Sequence, residues 1–140
     1  MSVGGNLTSR GSEQDGPVAA GVTVTPNTPV AKNTSAQWFL PLAATGASQE
    51  PVHGFPETSG AGTKVEGTGI FTHVLVNTQG RRVDAGWSWT VGRPIYLSRT
   101  VAGGLTQAAP NQTNDMVQMV AMAETENSLM INIGMPTWVL

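Results

Sequence analysis

Apolar and polar residues alternate in short runs along most of this chain. Val22-Thr-Val24-Thr is the first such run, β-branched and alternating, which is the pattern of a half-buried strand. Pro26 and Pro29 then interrupt it. Proline has no N–H to give to a ladder, so this segment belongs at a sheet edge or in a loop. Gln37-Trp-Phe-Leu40 is a brief apolar burst closed by Pro41. Residues 65–77 predict the clearest single strand. Ile70, Thr72, Val74 and Val76 fall on one face, and Phe71, His73 and Leu75 on the other. Two fairly apolar faces predict a central strand. Asn77-Thr-Gln-Gly80 reads as a turn, followed by a short polar return over Arg81-Arg82-Val83-Asp84. Residues 86–91 alternate again, with Trp87, Trp89 and Val91 on one face. A turn at Gly92-Arg-Pro94, a strand over Ile95-Tyr-Leu97 and a second turn at Val101-Ala-Gly-Gly104 come next.

The last third predicts a hairpin. From Asp115 to Ala123, Val117, Met119, Ala121 and Ala123 alternate with Met116, Gln118, Val120 and Met122. Residues 124–128 form a polar connector, and Leu129, Ile131 and Ile133 alternate beyond it. Met, Ala, Gln and Glu also suit a helix over 115–126. The valines and the short connector favour strands. Two segments lack any period. Residues 1–21 hold five glycines and read as a flexible or extended arm. Residues 43–64 hold Pro51, Pro56, Gly54, Gly60 and Gly62, and read as an extended surface loop that contacts something. The expected architecture is therefore all-β. It is a small β-sandwich or β-barrel-like domain over residues 22–140, preceded by an arm over residues 1–21.

Composition narrows what such a domain does. Only 11% of the 140 residues are charged, against about 25% in an ordinary soluble domain. The net charge of −2, with seven Lys and Arg, gives no footprint for nucleic acid. No cysteine is present, which excludes a disulfide framework, a thiol nucleophile and a thiolate metal site. No apolar run approaches the roughly 20 residues of a membrane span. The start has neither a basic n-region nor an apolar h-region, so synthesis without a cleavable signal is expected.

Candidate chemistry is sparse. No nucleophile elbow, phosphate loop or dinucleotide fingerprint occurs. His53 and His73 are the only histidines, and they have no carboxylate at ligand spacing. The nine carboxylates are dispersed. Catalytic, metal and cofactor residues are therefore expected to be none. Arg81, Arg82 and Asp84 suit a surface ion pair across a turn. Trp87 and Trp89 suit either core packing or a platform for stacking a sugar ring. Five of the six methionines lie between 116 and 135, an adaptable apolar surface fit for a core or a subunit contact.

One stretch has a recognisable pattern. Gly92-Arg-Pro-Ile-Tyr-Leu-Ser98 is followed by Gly103-Gly-Leu-Thr-Gln107, Ala109-Pro110 and Val117-Gln-Met-Val120. This resembles a module that recurs in tailed-phage virion proteins, among them capsid decoration (cement) proteins, head fibres and tail-associated structural proteins. The resemblance covers Gly92 to about Ile133. The chain departs from the pattern at Met122 and in its methionine-rich closing hairpin. The resemblance implies a non-enzymatic virion protein, made in a host cytoplasm. It would sit on the outer capsid surface as a homotrimer and bind the major capsid protein, without nucleic acid, membrane or cofactor. Ser2, Val3, Leu7, Val18, Val22 and Val24 would then be the arm's capsid contacts. The alternative is a head-fibre or tail-fibre module whose Trp87 and Trp89 bind host glycans. A tail-associated enzyme would need a carboxylate pair assembled from distant positions.

Overall fold

The computed structural model describes residues 13–62 and 72–140, and every regular element among them is a strand. In chain order these are β1 (Glu13–Pro17), β2 (Thr23–Val24), β3 (Ala31–Lys32), β4 (Trp38–Phe39), β5 (Phe55–Pro56), β6 (Gly60–Ala61) and β7 (His73–Asn77). They continue as β8 (Arg81–Val83), β9 (Pro94–Leu97), β10 (Leu105–Thr106), β11 (Met116–Val117), β12 (Met119–Thr125), β13 (Ser128–Ile131) and β14 (Thr137–Trp138). The chain is all-β, as its alternation predicts.

The largest sheet has the order β10-β9-β12-β13-β8, all antiparallel. Pro94 opens β9, the position where a missing donor costs least. Ile95 and Leu97 then point inward and are fully buried. β12 departs from strict alternation. Ile95 pairs with Ala121 but Tyr96 pairs with Met119, so Val120 is an extra, bulged residue. A bulge shifts the side-chain parity by one. Met116, Gln118 and Val120 therefore face inward before the bulge, and Ala121 and Ala123 after it. A second register shift puts Glu124 outside the ladder where β12 turns into β13.

Val120, Ala121, Ala123, Leu129 and Ile131 from this sheet meet Ala43, Val52 and Phe55 in the larger core. The smaller core gathers Val18, Val24, Val30, Trp38, Val74 and Val76. It is enclosed by the three-stranded sheet β1-β7-β5 and the ribbons β2-β6 and β3-β4. β5 joins the two cores. Phe55 packs in the larger one, while Pro56 stands opposite Val76 of the smaller one. Each fully buried Val, Leu or Ile contributes about 1.5–3 kcal/mol.

Four expectations are corrected. Residues 13–21 belong to the fold and not to an arm. β1 pairs with β7 over five residues, and Val18 and Ala19 are buried. The stretch 43–64 is not wholly a surface loop, because Ala43, Val52 and Phe55 are buried in the larger core, and positions 63–64 lie outside the described residues. Residues 86–91 form no strand. Trp87 and Trp89 instead fold a loop down onto the larger core. Val18 and Val24, expected as capsid contacts, are buried in the chain's own smaller core. β7 is central, as expected, with Val74 and Val76 buried; positions 65–71 of that expected strand lie outside the described residues.

Candidate functional site

The module from Gly92 to Val120 is one continuous piece of structure. Gly92 has φ +81°, a conformation that glycine adopts freely, and it turns the chain into β9. After β9 the Ser98 hydroxyl accepts the backbone N–H groups of Thr100 and Val101, both at 3.1 Å, and so ties the next turn. Gly103, at φ +66°, closes that turn. A Cβ there would stand 2.8 Å from Thr28 Cγ2 and 2.9 Å from Leu40 Cδ2, so glycine is also the residue that fits. Gln107 reaches back to the tryptophan loop. Its Oε1 accepts Thr90 N–H at 2.8 Å, and its Nε2 donates to the carbonyls of Thr90 and Arg93.

Gln118 is the centre of the module. It is 2% exposed. Its Oε1 accepts Val52 N–H at 2.6 Å, and its Nε2 donates to Val52 O at 3.2 Å and Gly134 O at 3.0 Å. One side chain thus serves both backbone polar groups of Val52 and the carbonyl of Gly134. Alternation groups Gln118 with Met116 and Val120, and all three point inward; the bulge at Val120 then brings Ala121 and Ala123 inward as well.

Arg99 and Asp115 form an ion pair in the module, with Nε 2.8 Å from Oδ2. Asp115 is 1% exposed, and its Oδ2 also accepts Gln112 N–H at 2.9 Å. Its Oδ1 is buried with no donor in reach. Burial by itself raises the Asp115 carboxyl. The bonds from Arg99 and the Gln112 N–H outweigh it and hold the group below its ordinary 3.8. Folding therefore favours the ionised form. That stabilisation is complete above pH 3.8 and is lost as the pH falls through the lower folded value. Asp115→Asn is expected to lower the urea midpoint at pH 7 and to flatten the fall in stability below about pH 4. Urea titrations at pH 7 and in the acid range check this, and an unchanged acid fall rejects it. No local spacing announces the pair, since sixteen residues separate its members.

The remaining expected residues are placed as follows. Trp87 and Trp89 lie with ring centroids 5.4 Å apart and planes tilted by 44°, packed against the larger core. The Trp89 ring N–H is buried without a partner. Both rings are half-buried, each with one side against the core. Arg81 pairs with Glu124 at 2.5 Å and not with Asp84, and it holds that carboxyl below the usual range. Arg82 instead donates to the carbonyls of Pro26 and Pro56, and Asp84 accepts Gly86 N–H. His53 meets Trp38 edge to face at 5.8 Å, and His73 is exposed on β7. Val22 is half-buried against the smaller core; Ser2, Val3 and Leu7 lie outside the described residues. Among the described residues no three His, Asp or Glu side chains gather as metal ligands, and no helix is long and apolar enough to cross a membrane. No protein-family model matches the chain, and no curated protein or solved structure does either.

Proposed function

We propose that this chain is a non-enzymatic structural protein of a tailed-phage virion, a decoration protein that binds the outer surface of the head. The observation that carries this reading is the module from Gly92 to Val120. The residues that resemble the phage pattern are those that build it. Gly92, Pro94, Ser98, Gly103, Gln107 and Gln118 each have a conformational or hydrogen-bonding task within the domain. The pattern therefore describes a scaffold for display and contact. A second support is the surface. Val83, Val91, Val101, Met130, Met135 and Trp138 are exposed on a chain with few charges. Uncharged β-rich surface of this kind favours association.

The partner is the major capsid protein, and the working unit is a homotrimer over subunit junctions. Bridging a junction stabilises the shell because rupture must re-expose the bridged surface, at about 25 cal/mol per Å² of apolar area. With Val18 and Val24 inside the fold and Val22 packed against the smaller core, the arm contacts reduce to Ser2, Val3 and Leu7. The test adds the purified full-length protein to undecorated heads of the phage that encodes it. Saturable co-sedimentation with heads, and a higher temperature for shell rupture, are expected. Absence of head binding, or binding only to tails, overturns the reading.

A further inference from the structure

We propose that the groove beside the turn between β9 and β10 is a carboxylate-binding site built around Arg99. The inference does not depend on the virion reading. The groove has a volume of about 250 Å³ and is lined by residues 98–100, Thr106 and residues 108–111. Arg99 is the one charged residue among them, and its side chain is 39% exposed.

Hydrogen-bond accounting gives the groove its character. A guanidinium has five N–H donors. Among the described residues, only the Nε–H of Arg99 has a partner, Asp115 Oδ2, and both Nη groups are without one. Asp115 is buried and does not line the groove. It holds the guanidinium by its Nε–H from outside the groove lining. Ser98 Oγ already accepts two N–H groups, which fills its acceptor positions. Its hydroxyl therefore donates to Thr100 Oγ1, 3.3 Å away, and the Thr100 O–H is left over. Thr106 Oγ1 accepts Ala108 N–H, which leaves its O–H free. Asn111 Oδ1 accepts Gln112 Nε2, which leaves its own amide N–H groups free.

The polar side chains around the groove thus offer spare donors, while the side-chain oxygens of Thr100, Thr106 and Asn111 each already accept one bond within the fold. The complement is a group that only accepts and carries negative charge. A carboxylate meets both conditions, and the flat fork of Arg99 matches its two oxygens. Arg99 is already partly neutralised by Asp115, so the groove suits a monoanion better than a phosphate dianion. Ala108, Ala109 and Pro110 supply an apolar flank for the methylenes that carry the carboxylate. The carboxylate belongs either to a small free acid or to an acidic side chain of a partner protein.

The test is a titration of the isotope-labelled full-length protein, followed at the Arg99 Nε–H resonance. The probes are sodium acetate, acetyl-Ala-Glu-Ala-amide and its glutamine counterpart. The Glu peptide is expected to produce a saturable shift and to bind about tenfold or more tightly than the Gln peptide. Acetate binding as tightly as the Glu peptide assigns the source to a free acid, and a tighter Glu peptide assigns it to a partner's side chain. Arg99→Lys keeps a cation beside Asp115 but loses the fork, and is expected to weaken Glu-peptide binding by about tenfold. Thr106→Val, which leaves the ion pair untouched, is expected to weaken it by a smaller factor. In the variants the shift is read at the backbone amides of residues 108 and 111. No saturable shift, equal affinity for the Glu and Gln peptides, or unchanged affinity in both variants overturns the site.

Discussion

Deletion of residues 1–21 is expected to abolish cooperative folding, whereas deletion of residues 1–12 leaves the melting temperature within a few degrees of the full chain. The contrast follows from where the fold begins. The longer deletion removes β1 and leaves its five partners on β7 unpaired on that side. It removes Val18, which is 4% exposed, and Ala19. It also breaks the bonds from Val18 N–H to Thr72 O and from Ala19 N–H to Trp38 O, at 2.8 and 2.9 Å. Trp38, Val74 and Val76 lose the cover that keeps them dry. Loss of a buried aliphatic side chain costs about 2–5 kcal/mol, and each lost hydrogen bond about 1 kcal/mol. The total rivals the 5–15 kcal/mol that holds a typical domain together. The shorter deletion keeps all these contacts. Thermal melts by near-ultraviolet circular dichroism decide the matter, and a cooperative, unshifted melt of the 1–21 deletion rejects the account of β1. The two deletions also separate folding from binding. The folded 1–12 deletion is expected to lose head binding if Ser2, Val3 and Leu7 make the arm contact.

Gln118→Leu is expected to lower stability by about 3–6 kcal/mol, although leucine has similar bulk and is more apolar. The substitution leaves Val52 N–H and Val52 O without their partner in a buried place, and Gly134 O without its partner in a half-buried one. Each orphaned group costs about 1–3 kcal/mol, and the apolar gain of leucine offsets only part of the sum. The melting temperature should fall by about 10–20 °C. Gln112→Leu is the matched control, because the Gln112 side chain bonds only to exposed Asn111. Its effect should lie within about 0.5 kcal/mol of zero. Urea titrations of both variants measure the difference. A Gln118→Leu protein as stable as the control would mean that the segments around 52 and 134 do not depend on this side chain.

Both expectations depend on contacts that local pattern hides, and this explains what was legible in the sequence. β9, the β12–β13 hairpin and the central position of β7 were readable. In each, alternation, turn residues and β-branched or aliphatic side chains agree within a few positions. β1 was not readable, because Glu13-Gln-Asp-Gly-Pro17 has no apolar signal, and its pairing is decided by β7, some sixty residues away. Residues 43–62 looked like a loop because glycine and proline dominate them. Val52 and Phe55 owe their burial to β9 and β12, which come later in the chain. Residues 86–91 had the period of a strand. Yet Trp87 N–H donates to Asp84 O and Trp89 N–H to Glu126 O, so their backbone is spent on loop contacts. Of the candidate site, the glycine-closed turn was legible. Arg99 and Asp115 were not, since their meeting depends on how β9 and β11 are brought together.

The extra residue in β12 also bears on how the chain avoids folding wrongly. A uniformly alternating hairpin can slide by two residues and still present its apolar side inward. Here such a slide would carry the crowded point at Val120 away from the gap between Ile95 and Tyr96 that accommodates it. It would also pull Gln118 out of reach of residues 52 and 134. Near-miss pairings are therefore distinctly worse than the native one, and a partly folded chain has little reason to linger in them.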